Sequence, residues 1–466
     1  MSNKSATEIL VEYAFMSTYS DLPTEVIARA KHLIIDTIGC GFGGYTTKAG
    51  KILTKFSRSF GGVKEATIIG DSSKVPSKHA AFANAQMSRI LDFDETYKNS
   101  GHPASSIVNT AIALGESKKA SGKDVINSIV TAYEVTTRVI DAINPSMKKW
   151  KSGVYPFATP DFLGAPIVAA KLLKLDEKKF YNAFAIGAQN ARLPISGKGI
   201  LPPKNLVKCS EGWQAEHGIE AALLAKEGFN GIPDIMDGDR GFWASAASDR
   251  CDYKELTESL GKRYNILLLS FKAQPVCRWL NPPIEAVTEM VETNNLSLSE
   301  IDRINVKSHT ICTRPPYNST NPFYISAMNS MVSAQFSIPW GVTMALFGYE
   351  EGPDWYSDDK YKNAELLNFA QKIKLEADEE ADKCFAEDPL HTVAKVRIET
   401  NGRTYEKRVD YAKGDPQRPF DENEIIEKFN KLTRKLLSKE KREKLVEMIL
   451  NLDQLKDISK LPRQFF

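Results

Sequence analysis

Residues 89–116 read RILDFDETYKNSGHPASSIVNTAIALGE. Asp92, Asp94, Glu95, Thr96 and His102 stand there between two apolar runs with helical spacing. Such a set can hold and move a proton, because imidazole titrates near neutrality and a neighbouring carboxylate or hydroxyl can orient it. Capping and turn chemistry would use the same residue types. If Leu91 ends one helix and Pro103 opens the next, His102 falls just before a helix N-terminus. The helix dipole favours a bound anion there, a carboxylate for example, and lowers the proton affinity of an imidazole.

Two further stretches carry cations. In LVKCSEGWQAEHG (206–218), Lys208 lies just upstream of a helix start rich in small residues. It could clamp a carboxylate or donate a proton; a solvated surface lysine is the plainer alternative. In SFKAQPVCRWLNPP (270–283), Lys272 and Arg278 lie among Pro275, Pro282 and Pro283. Cations on a stiff turn suit a polycarboxylate, which arginine can grip bidentately. A linker with incidental charge would look similar. Cys277 has no activating pattern and is not read as a nucleophile.

The elements that must position these residues change character along the chain. Up to about residue 250 the pattern is helical: LPTEVIARAKHLIIDTIG places Val26, Ile27, Ala30, Leu33, Ile34 and Ile38 on one face, with Pro23 at the first turn. KDVINSIVTAYEVTTRVIDAI repeats it, and alanine-rich runs at 77–91 and 216–228 suggest closely packed helices. Beyond about 265, IDRINVKSHT alternates as a strand does, and 392–411 forms a hairpin about Asn401-Gly402. Helical patterns recur at 282–291, 326–347 and 363–373, and the chain from Glu422 onward is helical again. The expected fold is mainly α, with a large all-helical domain from 1–266 and 412–466 and a smaller α+β lid from 267–411.

The totals exclude several classes. Lys plus Arg number 61 against 59 for Asp plus Glu, a balance that gives no reason to expect nucleic acid or an anionic membrane as partner. No run reaches the ~18–20 apolar residues of a membrane span. The first residues, MSNKSATEIL, lack a signal-peptide core, so a cytoplasmic location is expected. The six cysteines lie far apart with no C-x-x-C, and no H-E-x-x-H occurs, so neither a disulfide framework nor a zinc or iron–sulfur site is expected. The glycines of GCGFGG (39–44) lack a Walker lysine and are read as a helix end or tight packing.

Taken in order, LDFDET with GHPAS, VKCSEGWQAEHG into AALLAKEGFNG, MDGDRGFWAS, FKAQPVCRW and MVSAQFSIPWGVTMAL resemble the MmgE/PrpD family over roughly 5–450. That family includes 2-methylcitrate dehydratase, cis-aconitate decarboxylase and iminodisuccinate epimerase. The resemblance implies a helical domain with an α+β lid, a homodimer, a cleft between the domains, and no metal or other cofactor. It assigns Asp92, Thr96, His102 and Lys208 to catalysis, and Lys272 to the start of the lid. Cys277 stands where the decarboxylases carry histidine, and Tyr155 where many members do. Both departures point away from cis-aconitate decarboxylation and also weaken the transfer of the methylcitrate reaction.

The expected activity is a hydro-lyase acting on a hydroxylated di- or tricarboxylate of 2-methylcitrate type. An epimerase, isomerase or decarboxylase on the same scaffold, or a non-catalytic helical interaction protein, is the alternative. In the expected mechanism His102, oriented by Asp92, moves a proton beside a carboxylate and Thr96 donates a positioning hydrogen bond. Lys208 steadies the developing charge. Lys272 and Arg278 grip the substrate, with Cys277 and Tyr155 at its wall.

Overall fold

The computed structural model describes residues 4–98, 101–146, 148–149, 158–191, 210–314, 318 and 331–466. Its architecture is mainly α, with small sheets. The helices that matter for the site are α1 (Ala6–Met16), α2 (Thr24–Tyr45), α3 (Lys48–Ser59), α4 (Ser77–Arg89), α5 (Pro103–Lys118), α6 (Gly122–Ala142), α7 (Gly164–Leu172), α8 (Glu177–Gln189) and α9 (Glu211–Lys226). Later in the chain come α10 (Asn281–Thr293), α11 (Ile338–Leu346), α12 (Ala364–Ala370), α13 (Glu379–Glu387), α14 (Glu422–Thr433) and α15 (Lys439–Leu450).

The glycine run fills the last turns of α2, which ends at Tyr45, and it packs tightly there. A Cβ on Gly44 would stand 2.0 Å from the Met87 carbonyl of α4, and one on Gly43 2.7 Å from Leu432 of α14. Side chains there would push the three helices apart. Serine and aspartate caps start several helices: Ser121 accepts from Asp124 N, Asp176 from Lys179 N and Asp421 from Glu424 N.

Two apolar clusters form. One runs from Leu10 on α1 through α2, α4, α5, α6 and α7 to Ile425, Phe429 and Leu445 of the C-terminal helices and on to Phe465. The other gathers Ile284, Val306, Trp340, Trp355 and Ile398, and reaches Ile90, Leu91 and Phe93 at the end of α4. Strand pairs β1 (Ala66–Thr67)–β2 (Lys74–Val75) and β3 (Thr96–Tyr97)–β4 (Leu269–Ser270) are brief. Beneath the second cluster lies one four-stranded sheet, order β6-β5-β7-β8.

In that sheet β5 (Ile301–Ser308) pairs antiparallel with β7 (Ala394–Thr400), which turns into β8 (Arg403–Val409). The turn pairs Thr400 with Arg403 around Asn401 (φ 39°) and Gly402 (φ 82°), the two positive angles of the expected type I′ turn. Strand β6 (Ile373–Ala377), parallel to β5, was not expected: its sequence IKLEA continues a run that reads as helical. The helical pattern at 326–347 is broken by Ser337-Ile338-Pro339 into Met331–Ala334 and α11, and 326–330 lie outside the described residues.

Candidate active site

The stretch at 89–105 lies where the two apolar clusters meet. Helix α4 ends at Arg89, and Asp92 follows in the left-handed region (φ 53°). That conformation costs most residues ~1–2 kcal/mol but is eased for aspartate. It turns the chain toward β3, and His102 is the N-cap of α5 with Pro103 behind it, as expected. Every acid here is buried: Asp92, Asp94 and Glu95 are at most 1% exposed, and His102 is 7% exposed.

The short β3–β4 pair brings Lys272 to this loop. Thr96 pairs with Ser270 and Tyr97 with Leu269. Two residues on, Lys272 Nζ donates to Asp92 Oδ1 (2.6 Å) and to the Asp92 carbonyl (2.8 Å). Arg89 reaches the same carboxylate from the other side, with Nη1 2.5 Å from Asp92 Oδ1 and 3.1 Å from Asp94 Oδ1. Its Nε donates to Glu211 Oε1 at 3.0 Å, tying in the start of α9. Burial alone would weaken the hold of the guanidinium on its proton. Asp94, Asp92 and Glu211 outweigh that and keep it charged. Lys428 of α14 pairs with Asp36 (2.6 Å) and donates to the Phe93 carbonyl (2.5 Å), so α2 and the C-terminal helix also grip this loop.

His102 is oriented differently from the expectation. Its Nδ1 lies 2.7 Å from the Glu95 carbonyl oxygen, and the nearer carboxylate is Asp94 at 3.7 Å. Asp92 instead serves the two cations. A carbonyl can only accept, so neutral His102 carries its proton on Nδ1 and the lone pair on Nε2, the tautomer a base needs. Two buried acids steady the start of α5: Asp161 accepts from His102 N (3.1 Å) and Glu95 from Ala104 N (3.0 Å). Burial, then Asp94, raises Glu95 well above the usual carboxylate range, and burial raises Asp161 likewise. Tyr133 is pushed up by burial, then by Glu95 and Asp161.

Other expected residues fall elsewhere. The Thr96 hydroxyl points into its own turn, 3.3 Å from the Gly101 carbonyl and 3.4 Å from that of Lys98. The Arg278 guanidinium is engaged by Asp415 (2.8 Å) and the Leu390 carbonyl (2.9 Å), away from Asp92 and His102. Cys277 is half-buried and is the N-cap of the 3₁₀ turn Arg278–Leu280, its N–H donating to Gln335 O at 2.8 Å. Lys208 and Tyr155 lie outside the described residues. Reading the sequence missed Arg89, Glu211, Lys428 and Asp161. Arg89 had a signal, since a basic residue in the last turn of an apolar helix lies directly before three acids; the others are remote in sequence.

Donor atoms of Asp92, Asp94 and His102 lie within 4.8 Å of one another, a spacing that could hold a metal ion. Arg89 and Lys272 already contact these same carboxylates. The group therefore forms a compact, buried, charged floor in which Asp92 and Asp94 stand among an imidazole, a guanidinium and a lysine. Among the described residues no helix is long and apolar enough to cross a membrane.

Helical and mixed parts with this floor between them define a family of enzymes, and comparison with known proteins agrees. The MmgE/PrpD N-terminal domain matches residues 8–253 and the MmgE/PrpD C-terminal domain residues 275–454. The chain belongs to the MmgE/PrpD family. It is similar to the cis-aconitate decarboxylases of Mus musculus and Homo sapiens, each 26% identical over 99% of this chain and 94% of the relative. It is also similar to that of Aspergillus terreus, 23% identical over 99% and 96%.

Proposed function

We propose that this protein is a lyase that decarboxylates a small polycarboxylate of the cis-aconitate class, with no cofactor in the chemical step. The observation that carries the reading is the meeting of His102, Asp92 and Lys272 on one buried floor. Full-length similarity to cis-aconitate decarboxylases supports decarboxylation over the dehydration first expected. Loss of CO2 leaves an electron pair on carbon, delocalised toward a neighbouring carboxylate. The carbon then needs a proton, and the charge needs a cation beside it. Protonated His102 supplies the proton from Nε2. Lys272, held by Asp92, faces the developing charge, and Lys208 is proposed to assist it.

A second reading is dehydration of a hydroxylated di- or tricarboxylate. It is favoured by Cys277, at a position where the resemblance places histidine in the decarboxylases. There His102 takes a proton beside a carboxylate instead of giving one. Incubating the protein with cis-aconitate, citrate and 2-methylcitrate, with and without EDTA, and following products by mass spectrometry separates the two. CO2 release supports the first and water loss the second. Deuterium uptake with neither marks an epimerase, and no turnover of any polycarboxylate rejects both proposals.

A further inference from the structure

The helices that hold His102 reach a second cavity at their far ends. Helix α5 has His102 as its N-cap and runs 16 residues to a C-cap at Lys119, a span of about 24 Å at 1.5 Å per residue. Helix α7 follows Asp161 of the floor and ends at Leu172. The cavity lies among these two helix ends and the segment after α1, and measures about 580 Å³. That is within the ~300–1,000 Å³ of sites for small organic ligands.

We infer that this cavity binds an organic polyphosphate carrying an aromatic base, the build of a nucleoside di- or triphosphate, at a site separate from the catalytic floor. Charge is the first ground. Lys118, Lys119, Lys171, Lys174 and Lys456 line the cavity, against the single acid Asp124. Among the described residues none of the five lysines pairs with a carboxylate. Lysine serves phosphate as a point charge, so several can share one polyanion.

Lys171 carries this ground furthest. It is half-buried, and its Nζ donates to the carbonyls of Ala14 (2.7 Å) and Ser17 (2.9 Å) at the end of α1. An ammonium has three protons to donate, so one is left for a ligand. Burial holds its pKa down to about 8, against the pull of Asp124 and Asp21. A cation taken from water without an acid beside it is costly, and an anion in the cavity would supply the missing charge.

The second ground is the backbone. Lys119 (φ 51°) and Lys174 (φ 52°) each hold the left-handed position that closes a helix. Ala120 N donates to Gly115 O (2.9 Å) across the first, and Leu175 N to Ala170 O (3.1 Å) across the second. Glycine is the usual residue there, because it has no Cβ to strain. Two lysines accept that strain, and both stand on this cavity.

The third ground is the wall. Phe15, Tyr19 and Phe180 line the same space, and Phe15 meets Phe180 edge-on at 5.8 Å. Aromatic rings alongside cations suit a base joined to phosphates; inorganic phosphate would leave the rings and most of the volume unused. The site is also preformed. Gly122 N donates to Leu455 O (2.8 Å), which fixes the segment that carries Lys456 against the start of α6.

The test is calorimetric titration of the intact protein with ADP, in EDTA at physiological ionic strength, with inorganic pyrophosphate and adenosine as separate titrants. ADP is expected to bind once per chain. Pyrophosphate should bind roughly tenfold more weakly, for want of base stacking, and adenosine should not bind. In the double variant Lys119→Gly, Lys174→Gly, glycine suits both backbone positions. Its melting temperature should be no lower than that of the wild type and its basal turnover unchanged, while its affinity for ADP should fall roughly tenfold or more. The double variant Lys254→Ala, Lys439→Ala removes the same charge from exposed positions outside the cavity and should leave ADP binding intact. The inference is overturned by no ADP binding at millimolar concentration, by ADP binding that survives the glycine pair, or by equal weakening in the alanine pair. Adenosine or pyrophosphate binding as tightly as ADP would overturn the assigned ligand class.

Discussion

Lys272 and Arg278 belong to one short segment, carry the same charge and are both buried, yet they work on opposite sides of it. Lys272 leaves β4 toward the helical floor and meets Asp92, a residue far back in the chain. Arg278 instead meets Asp415 and the Leu390 carbonyl. The difference lies in the partners. A buried cation goes where an acid or carbonyl can pay its desolvation, and two such partners lie in opposite directions. Only Lys272 reaches the loop that carries Asp92 and His102; Arg278 is held by Asp415 and Leu390.

The largest effect tied to this contrast sets the scale for the chemistry. His102→Gln should lower turnover by ~10²–10⁴-fold, the usual contribution of a general acid or base. The fold should survive, since a glutamine can still donate toward the Glu95 carbonyl. Steady-state rates on the true substrate, with thermal melting as control, give the answer. Near-normal turnover would remove His102 from the proton step.

Next comes the pair itself. Lys272→Met should cost ~10²–10³-fold in turnover, the size of effect seen when one charge-stabilising donor is lost. Arg278→Met should leave Asp415 buried and unpaired and cost ~3–5 kcal/mol of stability, with turnover per folded molecule largely kept. Denaturant titration and active-site-normalised kinetics separate the two. If Arg278→Met abolished turnover in a fully stable protein, the contrast drawn above would be wrong.

The sequence carried much of this and failed for definite reasons. Helical spacing placed α2, α4, α5, α6 and α9, because an apolar face buried on one side leaves a 3.6-residue period. Asn401-Gly402 marked the hairpin because few other pairs accept two positive φ angles. The junction at His102-Pro103 was legible because proline suits a first helical turn. What stayed hidden depends on tertiary partners. IKLEA at 373–377 becomes a strand because β5 offers it a parallel edge, which its own pattern does not announce. Asp94 rather than Asp92 stands beside His102, since the left-handed turn at Asp92 aims it at Arg89 and Lys272. No spacing rule foretells that Lys428 would reach the Phe93 carbonyl from the far end of the chain.

A smaller effect probes the packing beneath the floor. Gly44→Ala would drive a methyl group against the Met87 carbonyl, which belongs to the rigid backbone of α4. Overpacking of this kind costs ~1–3 kcal/mol. It should also disturb the end of α4, and with it Arg89, so turnover should fall together with stability. Gly402→Ala, with nothing within 4 Å of the added methyl but a φ of 82°, should cost stability alone. Equal losses of turnover in the two variants would mean that the α2–α4 contact has no special tie to the floor.

The smallest effect concerns the protons held behind His102. Folded Glu95 grips its proton more tightly than the unfolded chain does, first because of burial and then because of Asp94. Folding therefore takes up a proton once the pH exceeds the ordinary glutamate value of about 4.3. The stability this acid contributes is fully present below that value and is lost as pH rises through and beyond it. Glu95→Gln keeps the acceptor for Ala104 N and removes the titration. Across mildly acidic pH, unfolding free energies of the variant should fall less steeply than those of the wild type, by at most about 1.4 kcal/mol per pH unit. The protonated neighbour also adds no charge beside His102, so the variant should keep the pH profile of turnover. A profile displaced toward lower pH would mean instead that Glu95 is ionised in the fold and supports a charged imidazole, the opposite arrangement of charge.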